Sequence, residues 1–274
     1  MNSAYSKTQK SRIIDNDKSL LDDFFLYLVK LKNGYTDRDL SLRFGINPST
    51  VSRKIISWAN FLFVTLGRMT FWLTRNEINS LMPKIFKEYC PTVRVIVDCT
   101  EIRVQNPSSL LRSSQFFSSY KNYTTVKCLV GITPHGTVSF ISKLYSGSCS
   151  DVEIFRKCGI TTLLEPGDSV LADKGFMISK DLEKIGCSLV IPTFMNISGQ
   201  FDLKEIKYNR MVTKLRIHIE RAIGRIKTYD LFAKTIPLNM MGTLQQHWTN
   251  AVLLTNFKPP LVKKFMNEAE HAFY

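Results

Sequence analysis

The sequence predicts an α/β fold, a mixed sheet flanked by helices, preceded by a small all-α helix-turn-helix module. Three observations carry that expectation. Residues 93–104 (Val-Arg-Val-Ile-Val-Asp-Cys-Thr-Glu-Ile-Arg-Val) are dense in β-branched side chains, as a buried strand requires. Further strand-like runs follow it and alternate with helical patterns, the order of a sheet covered by helices. Between residues 19 and 68 apolar residues recur at helical spacing around a glycine turn.

In chain order, residues 1–18 are polar and mixed in charge, with no apolar stretch of the kind a secretory signal needs, and are expected to form a disordered tail. Ser19 to Lys32 carries Leu20, Leu21, Phe24, Phe25, Leu28, Val29 and Leu31 at helical period, with Asp22 and Asp23 favouring the helix start. Asn33-Gly34 ends it, and Thr36 is suited to cap a second helix. Gly45 to Ser49 is a tight turn, after which Asn47 or Ser49 caps a third helix.

The spacing of Ser41, Phe44, Gly45, Ile46, Val51 and Ile55 is the helix-turn-helix pattern. A small residue sits where helices touch, a glycine where the backbone turns, and apolar anchors on the second helix. Ser49, Thr50, Ser52, Arg53 and Lys54 then lie on the outer face, hydroxyls and cations suited to base edges and phosphates. A three-helix bundle that binds nothing is the competing explanation. Residues 69–92 form a connector containing a short helix capped by Thr74 and Glu77, with Pro83 and Pro91 as punctuation.

The second domain is expected over 93–257, with a tail over 258–274. After the first strand comes a polar loop, 105–122, then strands at Thr124–Thr133 and Thr137–Tyr145 around Pro134-His135-Gly136. A helix over Asp151–Lys157 capped by Ser150, a strand Ser169–Ala172 ending at Asp173, a helix Ser179–Ile185 and a strand Cys187–Ile191 follow. A long helix over Lys214–Lys227 then buries Leu215, Ile219, Ala222, Ile223 and Ile226, and a closing helix spans Leu244–Asn256.

Asp98 on the first strand, Asp173 at the end of the fourth and Glu220 on the late helix can converge at one crevice outside the strand ends. Three carboxylates brought together repel one another unless a cation sits between them. An all-carboxylate set suits hard Mg²⁺ or Mn²⁺, and a pair of such ions activates water and stabilises the leaving oxygen of a phosphodiester. Glu220 alone would read as an ordinary surface glutamate with arginine neighbours.

Composition narrows the field. There are 37 Lys and Arg against 23 Asp and Glu, and the resulting net charge of +14 is a field for polyanions, nucleic acid foremost. No apolar run is long enough for a membrane span. The six cysteines form no C-x-x-C pair and suggest free thiols in a reducing compartment, and the four scattered histidines suggest no metal site.

The segments Asp98-Cys99-Thr100-Glu101-Ile102, Gly147-Ser148-Cys149-Ser150-Asp151, Ala172-Asp173-Lys174-Gly175-Phe176, Ile191-Pro192 and Glu220-Arg221-Ala222-Ile223-Gly224-Arg225-Ile226-Lys227, in this order, resemble the Harbinger-like DDE transposases. The N-terminal module resembles the one preceding the catalytic domain in that family. The resemblance implies an RNase H-like catalytic fold over 93–257 and a DDE triad of Asp98, Asp173 and Glu220 that binds Mg²⁺ or Mn²⁺. Asp151 matches a family position too, and is read as a capping or outlying acid and as the rival of Asp173 for the middle place. The expected activity is endonucleolytic cleavage and strand transfer on double-stranded DNA in the nucleus, with a second copy of the chain or a separate DNA-binding protein as further partners. A DNA-binding protein that has lost catalysis is the alternative.

Overall fold

The computed structural model describes residues 19–193 and 202–261; the expected tail at 1–18 and most of the one at 258–274 lie outside the described residues. The first helix, α1, spans residues 19–33. It is followed by α2 (Asp37–Phe44) and α3 (Pro48–Gly67). Local chemistry sets each boundary. Thr36 and Asp39 form a reciprocal capping box at the start of α2, and Gly45 ends it in the left-handed region at φ 64°. The Asn47 side chain caps α3, and Pro48 occupies the first turn, where its missing N–H costs nothing.

The connector contains α4 (Arg75–Leu81), opened by the expected Thr74–Glu77 box, and α5 (Lys84–Tyr89). Strand β1 (Val93–Arg103) then starts the sheet. The loop expected at 105–122 holds α6 (Leu110–Phe116) and the two-residue β2 (Phe117–Ser118) before β3 (Tyr123–Ile132). The strand expected over 137–145 is two strands, β4 (Val138–Ile141) and β5 (Tyr145–Ser146). The break falls where Ser142 Oγ accepts the Leu129 amide at 2.9 Å, a side chain standing in for the ladder carbonyl.

The remaining elements are α7 (Asp151–Lys157), β6 (Ser169–Leu171), α8 (Ser179–Glu183), β7 (Ser188–Val190), α9 (Leu203–Ile226) and α10 (Leu244–Leu254). α9 begins well before the expected Lys214, because Asp202 and Glu205 make another capping box there. The sheet order is β2-β3-β1-β6-β7, with β4 and β5 also on β3; β1 is antiparallel to β3 and parallel to β6, and β6 is parallel to β7. This is the mixed sheet flanked by helices. None of the described helices is long and apolar enough to cross a membrane, and all six cysteines are free.

Strand β1 is covered on both faces. Val93, Ile96 and Ile102 join one apolar cluster, with α9 and α10, while Val95 and Val97 join the other, with Ile154 and Phe155 of α7 and Leu182 of α8. The first cluster does not stop at the sheet. It continues through Phe86 and Ile78 of the connector to Leu26 and Leu31 of α1 and Val51, Ile55 and Ala59 of α3. The helix-turn-helix module and the sheet domain therefore share one core.

A buried polar knot sits inside that shared core. Asn250 of α10 donates through Nδ2 to the Tyr27 hydroxyl of α1 and to the Ala59 carbonyl of α3, each at 2.9 Å. His247 Nδ1 lies 3.3 Å from the same hydroxyl. Burial raises the Tyr27 pKa and lowers that of His247 to about 4, so both stay neutral at physiological pH. Replacing Asn250 with alanine strips partners from groups that water cannot reach. Asn250→Ala is expected to cost about 2–4 kcal/mol. Chemical denaturation followed by both tryptophan fluorescence and helical circular dichroism should show one coincident transition, moved to lower denaturant, since the helical module has no core apart from the one it shares with the sheet domain.

Candidate active site and nucleic-acid face

Asp98 follows the fully buried stretch of β1. Alternation along the strand puts it on the face of Ile96 and Ile102, toward α9. Its Oδ1 accepts the Cys99 amide at 2.8 Å. Burial pushes the carboxyl up to about 6; the amide and Arg216 oppose the rise, and Asp151 and then Asp173 add to it. Asp151 and Asp173 are therefore each within electrostatic reach of Asp98, with Asp151 acting on it more strongly than Asp173 does.

Each of the other two acids has its own cation. Asp173 follows the short strand β6; its Oδ1 accepts the Lys174 amide at 2.7 Å and pairs with Arg216 Nη1 of α9 at 3.0 Å. Asp151 opens α7, where Ser150 supplies the expected cap, and pairs with Lys127 of β3 at 3.3 Å. Lys127 also lies 3.7 Å from Glu101, whose oxygens accept from Thr125 Oγ1 at 2.7 Å and Ser118 Oγ at 3.2 Å.

Sequence reasoning assigned no role to Lys127 or Glu101, and read Arg216 only as an arginine neighbour of Glu220, whereas it pairs with Asp173. The available signal was strand register, since Glu101 and Lys127 are direct cross-strand partners. Register is invisible until β1 and β3 are paired. Arg216 is the more telling omission. Its side chain is nearly buried beside the acids, and its Nε has no partner among the described residues.

Glu220 is exposed and makes no ion pair among the described residues. It stands one turn beyond Arg216, and at about 100° per residue Arg216, Glu220 and Lys227 fall within about 40° of one another around α9. Lys227 is driven below its usual pKa by loss of water and by Lys121, against the opposing pull of Asp98 and Glu101. The stripe that carries Glu220 thus has the acid site near both its ends. Among the described residues, no three His, Cys, Asp or Glu groups converge closely enough to hold a metal ion. Gly224, on the exposed side of the helix, has nothing within 4 Å of where a Cβ would sit, so close packing does not explain it.

On the N-terminal module, the five residues expected on the outer face of α3 are only in part exposed. Ser49 and Arg53 are exposed, and Thr50 and Ser52 are half-buried. Ser49 Oγ donates to Asn47 Oδ1 at 2.9 Å, and Arg53 Nη2 to Thr50 Oγ1 at 3.3 Å. Lys54 is instead tied to both carboxylate oxygens of Asp23 on α1, a half-buried pair that braces α1 against α3. The sequence placed Asp23 at a helix start and did not foresee its partner.

The raised Asp98 carboxyl has a consequence for the metal-free protein. A carboxyl with a folded pKa above its unfolded value of 3.8 destabilises the fold once it ionises. That penalty is absent in acid, grows as pH rises from 3.8 to about 6, and is constant above. Asp98→Asn is therefore expected to raise the melting temperature at neutral pH without divalent ions, corresponding to at most about 3 kcal/mol. The gain should shrink toward zero as pH falls to the unfolded value. Thermal denaturation of both proteins across that range is the measurement.

Two sequence comparisons bear on what this arrangement is. Residues 97–256 match the family described as DDE superfamily endonuclease. Residues 19–68 match the helix-turn-helix of DDE superfamily endonuclease. No curated protein matches the chain. With more than half of its length matched, carrying Asp98, Asp151, Asp173 and Glu220 within the match, the chain belongs to the DDE superfamily endonucleases.

Proposed function

We propose that the chain is a divalent-metal-dependent DNA endonuclease of the transposase type. It hydrolyses phosphodiester bonds and transfers strands through Asp98, Asp173 and Glu220, with Asp151 as the competing middle acid. The observation that carries this reading is Asp98, a half-buried carboxyl midway along β1 with two further carboxylates acting on it and an arginine nearby. Such a set is costly for a protein to keep unless a cation or a reaction uses it.

The donor chemistry fits a hard ion. Every candidate ligand is a carboxylate oxygen, and added positive charge would offset the burial, and the smaller carboxylate repulsion, that raise Asp98. Mg²⁺ or Mn²⁺ would be held only once Asp98, Asp173 and Glu220 draw in around it, and would then supply Lewis-acid activation of water and charge stabilisation at the leaving oxygen. Arg216 now supplies part of that positive charge, through its pair with Asp173.

The chain's own groups divide the remaining work. The Cys99 amide fixes one Asp98 oxygen, and Lys127 fixes Asp151. Arg216 has an unpartnered buried Nε to offer a phosphate oxygen, and Lys227 adds charge on the same helical stripe. The net charge of +14 draws the polyanion toward a site that is locally acidic. Ser49, Thr50, Ser52 and Arg53 on α3 would meet the duplex, with Lys54 acting through its tie to Asp23.

Two experiments test this reading. The parent chain should nick supercoiled plasmid with Mg²⁺ or Mn²⁺ and not with chelator. Asp98→Asn, Asp173→Asn and Glu220→Gln should each lower the rate by on the order of 10²-fold or more while duplex binding persists. Variants that cut like the parent would remove those residues from the triad, and an Asp151→Asn variant alone inactive would move the middle place to it. For the α3 face, Arg53→Ala should lower duplex affinity and reduce the salt slope by about 1. Lys54→Ala should chiefly lower thermal stability, and an unchanged melting temperature would contradict the bracing role of its pair.

A further inference from the structure

Residues 104–122, between β1 and β3, display apolar surface where most connections cover it. Helix α6 has no buried residue, and Tyr120 is 82% exposed. The segment is nevertheless fastened. Ser148 Oγ donates to the Gln115 carbonyl at 2.7 Å. A Cβ on Gly147 would come within 2.5 Å of the Phe116 carbonyl oxygen, so the turn before Asp151 and this segment are in contact that only glycine permits. The buried Ser118 hydroxyl donates to Glu101 and accepts the Lys121 amide at 3.3 Å.

Glu101 faces Lys127, and Lys127 reaches Asp151. A short chain of contacts therefore runs from Lys121 to the acids. Lys121 Nζ lies 4.6 Å from the centroid of the Tyr120 ring, so an ammonium and an exposed aromatic face stand together at the rim of the site.

We propose that Tyr120 and Lys121 form a platform for an unpaired nucleotide of the DNA strand that enters the acid site, the ring stacking on the base and the ammonium meeting its phosphate. This rests on the endonuclease reading. Stacking of bases on aromatic rings is indifferent to sequence, because every base has a π-face. A base inside a duplex has both faces covered by its neighbours, so the platform selects a frayed, extruded or overhanging nucleotide. The positive charge of Lys121, backed by Lys227, favours a nucleic acid strand over an apolar protein surface as the occupant.

The test uses the full chain in metal-free buffer with a short duplex, blunt or carrying a single-stranded overhang that contains the fluorescent base aminopurine. The parent should bind the overhang duplex more tightly and quench the probe. Tyr120→Ala should lose about tenfold of that binding and the quenching, and Tyr120→Phe should keep both. The ring packs against little besides Lys121, so neither substitution threatens the fold. Unchanged preference and quenching in Tyr120→Ala would overturn the proposal. So would a change in sedimentation without a change in overhang binding, which would make Tyr120 a contact between copies. A Tyr120-dependent preference in a chain that fails to nick plasmid would leave the platform standing and remove the enzymatic reading. No binding to either duplex would remove both.

Discussion

A strand covered on both faces leaves a carboxylate little access to water, and β1 carries one at the end of its buried run. That constraint organises the rest of the site. The Cys99 amide, Arg216 on α9 and the acids on α7 and after β6 all enter the electrostatics of Asp98. Asp98 lies within β1, Asp173 in the connection after β6 and Asp151 at the start of α7, and the first two each accept the backbone N–H of the residue that follows. The cations come from the middle of regular elements, Lys127 from β3 and Arg216 from α9, where long side chains can reach across.

The result is a site whose charges are matched in pairs. Arg216 with Asp173 and Lys127 with Asp151 leave Asp98, like the exposed Glu220, without an ion-pair partner among the described residues, and burial raises Asp98. The +14 of the chain is therefore not spread evenly over solvent-facing surface; some of it is already committed beside the carboxylates. A ligand binding beside those pairs would meet Arg216, whose buried Nε has no partner among the described residues and gains from an incoming acceptor.

Much of the fold was legible because its signals are local. The caps at Thr36, Asn47, Thr74 and Ser150 depend on residues within one turn, and all four form as the sequence suggests. The β-branched run of β1 and the apolar stripe of α9 depend only on period. What escaped was set by partners far away in sequence. Glu101 meets Lys127 through register, Lys54 meets Asp23 through helix packing, and Arg216 meets Asp173 through a whole layer of the fold. Helix α6 escaped for the opposite reason: it buries nothing, so it leaves no periodic trace. At the site, residue types announced the acids but said nothing of their cations, and Glu220 could be placed on its helix but not beside a neighbour.

The polar knot of Tyr27, His247 and Asn250 has a mechanical meaning. Helix α3 offers its first turn to solvent and holds its later turns in the shared core, where the Ala59 carbonyl is fixed by α10. Its 20 residues span about 30 Å, close to the pitch of a double helix. In the endonuclease proposed above, α3 would work as a ruler and not as a tether. The number of base pairs between the sequence it grips and the bond that breaks would be fixed by protein geometry, so a spacer lengthened by half a helical turn would present the wrong face of the duplex to the acids.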